Sequence, residues 1–358
     1  MNSGASRNVE PGKPGAETID GLTQIWQRVL QRSPIGPNES FYDLGGNDPL
    51  ADRVFTEIAQ VFRRELPTAT ICHAPTIAAL AILLEQPSLP RFSPFVKLRA
   101  GSDETPILIT HGLGGRASFS ELAKHIRTGH SVYGIQAKGV DGMEKPFERI
   151  EDMAQFYLEA LAELQPRGPY ILIGYSFGGL IALEMAQRLS AEGKNVSLLV
   201  LVDTYPHPHF FPQRERLRLG VKRVRGHVSD LSKKPLRVAA AKLLGVLKRK
   251  LRVTEGGNSS VVTVDSSPLS FARTILQVKE SDLLAMRQYR PAFYRGKIRF
   301  VRPETNSYLP NDPTTVWKSM SAEFEVETVP GDHLGMVGEH FESLASVLTR
   351  YVREAAEE

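Results

Sequence analysis

At 358 residues the chain exceeds one average domain, so two domains is the starting expectation. An apolar share of 41% and a charged share of 23% are ordinary for a globular protein, and no run approaches the ~18 uninterrupted apolar residues of a membrane span. A lone cysteine, Cys72, excludes an intrachain disulfide, and Met1 to Pro14 lacks the apolar core of a signal peptide, so the expectation is a soluble cytoplasmic protein without membrane attachment.

The net charge of +4 is unevenly spread. From Gln213 to Arg252, 14 Lys and Arg face two acids, Glu215 and Asp230, which leaves the rest of the chain acidic. No nucleic-acid-binding motif surrounds this run, so a nucleic-acid partner is not expected.

Residues 1–16 read as a flexible leader. Leu22, Ile25, Trp26, Val29 and Leu30 then recur at helical spacing. A polar loop leads to Phe41-Tyr42-Asp43-Leu44-Gly45-Gly46, and a second helix carries Leu50, Val54, Ile58 and Val61 on one face, with Asp48 as its N-cap and Pro49 at its first position. A last helix runs from about Pro75 to Leu84. The sum is a small all-α bundle over 17–88, followed by a linker over 89–97.

From Pro106 short apolar runs alternate with helical patterns. Pro106–Thr110, Ser131–Ile135, Pro169–Ile173, Ser197–Val202, Gly296–Val301 and Phe324–Thr328 read as strands; Phe119–Ile126, Ile150–Leu164, Phe177–Leu189 and Glu339–Tyr351 read as helices. This is the texture of a mostly parallel sheet covered on both faces, an α/β domain over 98–356. Residues 206–290 interrupt it. There Leu217, Val221, Val224, Val228 and Leu231, and then Leu236, Ala240, Leu243, Leu247 and Leu251, form two amphipathic patterns, the expected helical lid.

Ile171-Leu172-Ile173-Gly174-Tyr175-Ser176-Phe177-Gly178-Gly179 runs a buried strand into Gly-x-Ser-x-Gly and on into a helix, the context of a nucleophile elbow. A serine hydroxyl needs a base to attack at neutral pH. His333, in Val329-Pro330-Gly331-Asp332-His333, stands after the last strand and before the last helix. Asp203 ends the strand Ser197–Val202 and gives the order Ser, Asp, His; Asp312 is a rival for the acid, with Asp203 preferred. His111-Gly112-Leu113-Gly114-Gly115 follows the first strand of the α/β domain, so the amides of Leu113 and Phe177 are the expected oxyanion donors. His111 itself is expected to pack beneath that loop. No metal site is indicated.

Residues from about 95 to 355 resemble the chain-releasing thioesterase domains of nonribosomal peptide and polyketide synthases. The resemblance rests on His111-Gly112-Leu113-Gly114-Gly115, Gly174-Tyr175-Ser176-Phe177-Gly178-Gly179, Leu201-Val202-Asp203-Thr204-Tyr205 and Pro330-Gly331-Asp332-His333. It implies an α/β-hydrolase sheet with a helical lid, and transfer of an acyl chain from a carrier's phosphopantetheine thioester to Ser176. Releasing domains of this kind support Asp203 as the acid; stand-alone editing thioesterases place theirs nearer Asp312. Residues 17–88 resemble an acyl or peptidyl carrier domain through Phe41-Tyr42-Asp43-Leu44-Gly45-Gly46-Asn47-Asp48-Pro49-Leu50 and Ala74-Pro75-Thr76-Ile77. The serine that carries phosphopantetheine in that family is replaced by Asp48. The resemblance therefore implies no cofactor for hydrolysis, no attachment at Asp48, and a carrier domain of another synthase subunit as partner. The basic lid 213–252 would suit docking of an acidic carrier by complementary charge, a solvated helical face being the alternative. A carboxylester hydrolase on the same scaffold and a non-catalytic docking subunit are the competing readings.

Overall fold

The computed structural model describes residues 14–218 and 271–357, apart from 67, 69, 87–91, 117, 118, 166, 212, 306–309 and 311. Most of the basic lid, and with it most of the two amphipathic patterns and the proposed docking surface, lies outside the described residues.

Four helices form the N-terminal bundle: α1 (Ala16–Leu30), α2 (Asp48–Phe62), α3 (Thr70–His73) and α4 (Ile77–Glu85). The apolar faces read from the sequence meet in one core, where Leu22, Trp26, Phe41, Val54, Ile58, Ile77 and Leu80 are fully buried. The expected cap of α2 is corrected by one residue. Asn47, in an extended conformation, accepts the Leu50 N–H at 3.1 Å, while Asp48 already belongs to the helix. With Pro49 following, the first free amide in reach is that of Leu50, and the side chain three residues before it is the one that caps.

Seven strands make one sheet: β1 (Phe95–Arg99), β2 (Ser102–Thr110), β3 (His130–Ile135), β4 (Tyr170–Tyr175), β5 (Val196–Val202), β6 (Tyr294–Pro303) and β7 (Ser321–Val329), in the order β1-β3-β2-β4-β5-β6-β7. Every pairing is parallel except that of edge strand β1 with β3. Strand β1 takes in residues 95–97, read from the sequence as linker; on an edge a strand this short shows little apolar pattern. Alternation along the strands then supplies both faces. Leu108, Leu172, Leu199 and Leu201 pack with α6 (Ile150–Leu164) and α7 (Gly178–Ala191), whereas Ile107, Ile109, Ile173, Val200 and Val202 pack with α5 (Ser120–His125) and the C-terminal helix α10 (Phe341–Glu357).

Within the interruption, residues 213–218 are helical and Phe271–Gln288 forms a long helix, α8. A short helix, α9 (Thr314–Trp317), precedes β7. Its Trp317 is fully buried and its indole N–H donates to the Thr204 carbonyl at 2.9 Å, one residue beyond Asp203. Replacing Trp317 by Ala should therefore destabilise the fold by about 3–5 kcal/mol, measured by urea denaturation, through the cavity and the orphaned carbonyl.

Candidate active site

The bend after β4 is built by contacts that exclude side chains. A Cβ at Gly174 would run into the backbone of Gly179, one at Gly178 into the carbonyl of His111, and one at Gly179 into Thr204. The three glycines let the helix α7 start directly against the strand ends. The Thr110 hydroxyl donates to the Gly178 carbonyl at 2.7 Å and locks the junction. Ser176 sits between them with φ of 55°, in the left-handed region that a residue with a side chain seldom adopts, and its N–H donates to the Val202 carbonyl at 2.8 Å.

Asp203, one residue past β5, also has a positive φ (43°), and its N–H donates to the Val301 carbonyl at 2.8 Å. Its carboxylate is buried, 1% exposed, and Oδ2 accepts a hydrogen bond from Nδ1–H of His333 at 2.6 Å. That bond leaves Nε2 of His333 with a lone pair, the protonation form a general base needs. Asp312 is turned elsewhere: it is exposed, and its Oδ1 accepts from the N–H and hydroxyl of Thr314 at 2.9 and 2.6 Å, at the start of α9.

The loop bearing His333 is shaped by its neighbour. Gly331 has φ of 93°, and Asp332 Oδ1 accepts from Gly335 N–H at 2.8 Å and Leu334 N–H at 3.1 Å, which hold its carboxyl below the usual range. Tyr175, adjacent to Ser176, donates its hydroxyl to the His333 carbonyl at 2.6 Å and lays its ring under the imidazole, 5.0 Å between centroids at 21°. Ser176 and Asp203 thus follow the C-terminal ends of the adjacent central strands β4 and β5, and His333 is tied to Asp203 and to Tyr175, the residue before Ser176.

Phe177 is the N-cap of α7, at the helix end where backbone N–H groups are the exposed partial charges. Across from it runs the loop His111–Gly115, with positive φ at Gly114 (94°) and Gly115 (78°) and Leu113 exposed at its tip. His111 is fully buried beneath the loop, as its sequence position suggests. Its Nδ1–H donates to the Gly112 carbonyl at 2.8 Å and its Nε2 accepts from the Tyr157 hydroxyl at 3.0 Å; burial lowers its pKa to about 4, so it is neutral.

One residue bound to this loop has no counterpart in the sequence reading. Asp282 of α8 is completely buried, and its Oδ2 accepts the Gly114 N–H at 2.9 Å. Burial raises its pKa to about 7, against the opposing effect of the Gly114 hydrogen bond. Nothing in Ser281-Asp282-Leu283-Leu284 distinguishes it from an ordinary helical acid; only its partner does. Among the described residues no cluster of three metal-ligating side chains occurs, and no helix is long and apolar enough to cross a membrane.

In the N-terminal bundle the loop before α2 is closely built. Phe41 N–H donates to the Pro75 carbonyl at 2.7 Å, Gly46 N–H to the Phe41 carbonyl at 2.8 Å, and a Cβ at Gly46 would collide with the Phe41 ring.

Comparison with known proteins identifies the family of each part of the chain. The thioesterase-domain family model matches residues 106–351, and the phosphopantetheine attachment-site model matches residues 20–84. A dimodular nonribosomal peptide synthase of Bacillus subtilis is 31% identical over 292 residues, 78% of this chain and 12% of that protein. An indigoidine synthase of Streptomyces lavendulae is 36% identical over 191 residues, 53% of this chain and 15% of that protein. The chain thus spans only a small part of each relative. A solved four-domain nonribosomal peptide synthetase, bound to AMP and glycine, shares the fold over 98% of this chain and 27% of its own, with a TM-score of 0.56 at 23% identity.

The two buried titrating groups beneath the loop have opposite signs. Asp282 binds its proton more tightly folded than unfolded, so the stability it contributes is lost as pH rises from about 4 through about 7. His111 binds its proton less tightly folded, so its contribution is lost as pH falls from about 6.5 towards about 4. Asp282→Asn removes the first effect and keeps the second. The melting temperature of the variant relative to wild type should therefore be higher at about pH 8 than at about pH 5.

Proposed function

Because the chain belongs to the thioesterase-domain family and carries ahead of that domain a region matching the phosphopantetheine attachment-site model, we propose that it releases acyl or peptidyl chains from phosphopantetheine-bearing carriers in nonribosomal peptide or polyketide-type biosynthesis. The observation that carries the reading is the 2.6 Å hydrogen bond from His333 to buried Asp203 beside the bend that presents Ser176. In this mechanism His333 Nε2 takes the proton of Ser176 as its Oγ attacks the thioester carbonyl. Asp203 keeps the imidazole in the required tautomer and stabilises the imidazolium. The amides of Leu113 and Phe177 receive the oxyanion, each donor worth on the order of 10²–10³ in rate. Collapse expels the carrier's thiolate, which takes the proton from His333 and leaves an ester on Ser176. Water, or a nucleophile within the chain itself, is then deprotonated by His333 and releases the product.

The N-terminal bundle keeps the architecture of a carrier without the means to be primed. Phosphopantetheine is held through a phosphodiester to a serine hydroxyl. At position 48 a carboxyl would offer only a mixed anhydride, which water cleaves, and Asn47 is occupied in capping α2. The substrate then arrives on the carrier domain of another synthase subunit. Charge complementarity between an acidic carrier and the basic segment 213–252 favours that segment as its approach.

Intact-mass measurement after incubation with an acyl-pantetheine thioester should show an acyl adduct on wild type and none on Ser176→Ala. Turnover should fall on the order of 10⁶-fold in Ser176→Ala and about 10⁴-fold in Asp203→Asn, with Asp312→Asn near wild type. An adduct surviving Ser176→Ala, or Asp312→Asn losing as much as Asp203→Asn, would reject the assignment. With coenzyme A and a phosphopantetheinyl transferase, the mass of the wild-type chain should stay unchanged. Asp48→Ser should create an acceptor.

A further inference from the structure

The loop His111–Arg116 is held from outside the triad by two elements, and both lead back to the N-terminal bundle. On one side lies α8, which packs on α2. Its Ile275 joins the periphery of the bundle's core and at the same time fills the space beside Gly114, where a Cβ would stand 3.3 Å from its Cγ2. Val278 closes on Gly115 in the same way, and one turn further on Asp282 binds the Gly114 N–H. On the other side the bundle touches the loop directly: the guanidinium of Arg116 lies over the ring of Tyr42, 5.7 Å from its centroid. Tyr42 is no loose contact. Its ring meets Phe41 edge-on at 5.5 Å, and Phe41 meets Trp26 edge-on at 5.2 Å in the centre of the bundle. Nearby, Lys124 of α5 pairs with Asp43 at 3.4 Å.

Tyr42 and Asp43 thus belong to the loop that, in a working carrier, precedes the primed serine. Without that serine, what this loop still offers is its surface. Amides that receive an oxyanion must be placed to within a fraction of an ångström, and a loop with two successive glycines at positive φ does not hold such a shape unaided.

We propose that the N-terminal bundle acts in cis as a positioning module for the oxyanion loop, through Tyr42 on Arg116 and through α2 on Ile275 of α8. The proposal rests on the thioesterase reading above. Tyr42, Arg116 and Ile275 are positioning residues, acting through the loop His111–Arg116.

The test uses full-length protein and a soluble acyl-pantetheine thioester, so that no carrier has to dock. Tyr42→Ala and Ile275→Ala should each lower kcat on the order of 10-fold while KM changes less than about two-fold, the pattern of an interaction made only in the transition state. Tyr42→Phe, which keeps the ring face, should restore kcat. Hydrogen exchange of the 111–116 amides should quicken in both alanine variants, with melting temperatures close to wild type. Should Tyr42→Ala fail to fold, Arg116→Gln and Arg116→Lys repeat the test from the other partner, the lysine keeping the cation and the rate. Wild-type kcat in these variants overturns the proposal, as does a loss confined to KM for carrier-bound donors, which would mark the bundle as a delivery surface. Ser176→Ala on the same substrate keeps the two readings apart. An inert wild type rejects the thioesterase reading and this proposal with it, whereas an active wild type with unaffected interface variants rejects this proposal alone.

Discussion

A carboxylate with 1% of its side chain exposed is costly to fold unless hydrogen bonds replace the water it loses, and Oδ2 of Asp203 receives one from His333. Two consequences follow from placing Asp203 there. The imidazole is held in a single tautomer with Nε2 available, and the loop Pro330–Gly335 must return to the ends of β4 and β5 rather than swing away. Tyr175 strengthens the second consequence, since its hydroxyl and ring both engage His333 from the residue next to Ser176. The proposed base is thereby tied to the strand that presents the proposed nucleophile.

Strain accompanies this arrangement. Ser176 and Asp203 are neighbours across the sheet, each just past its strand, and each has a positive φ without being glycine. Conformations of this kind cost of order 1–3 kcal/mol and persist where the surroundings over-determine them. Here the surroundings are visible. Each residue's N–H continues the hydrogen bonding of the sheet by one more step, to Val202 and Val301 respectively, and the glycines at 174, 178 and 179 let α7 press against the bend. The junction closed by these three glycines is also the one that carries Ser176.

The ground beneath the loop His111–Gly115 is organised by burial more than by charge pairing. His111 and Asp282 are both removed from water, and burial pushes each towards its neutral form, the histidine down to about 4 and the aspartic acid up to about 7. Tyr157, whose own pKa burial raises well above the ordinary range, stays protonated and donates to His111. The same loop is where the N-terminal bundle and α8 converge, so the two halves of the chain share a mechanical border at the site.

Much of this was legible beforehand because it depends on local chemistry. A parallel sheet announces itself through short apolar strands alternating with helical patterns, and a sharp strand-to-helix bend demands glycines around Ser176, so the α/β class, the elbow and the loop histidine could be read residue by residue. Missing hydroxyl chemistry at Asp48 is likewise a property of one residue. The cap of α2 was misread by a single position, since Asn47 and Asp48 are both capping residues and only backbone conformation separates them. Tertiary structure alone decided which carboxylate meets His333, because Asp203 at the end of β5 and Asp312 in the loop after β6 both stand in suitable chain order and nothing local measures which of them a distant loop will reach. It alone revealed Asp282, an unremarked acid in a helix whose partner lies far back in the chain, and the contact of Tyr42 with Arg116. Periodicity reports which face of an element is buried; it carries no information about which distant group is buried against it.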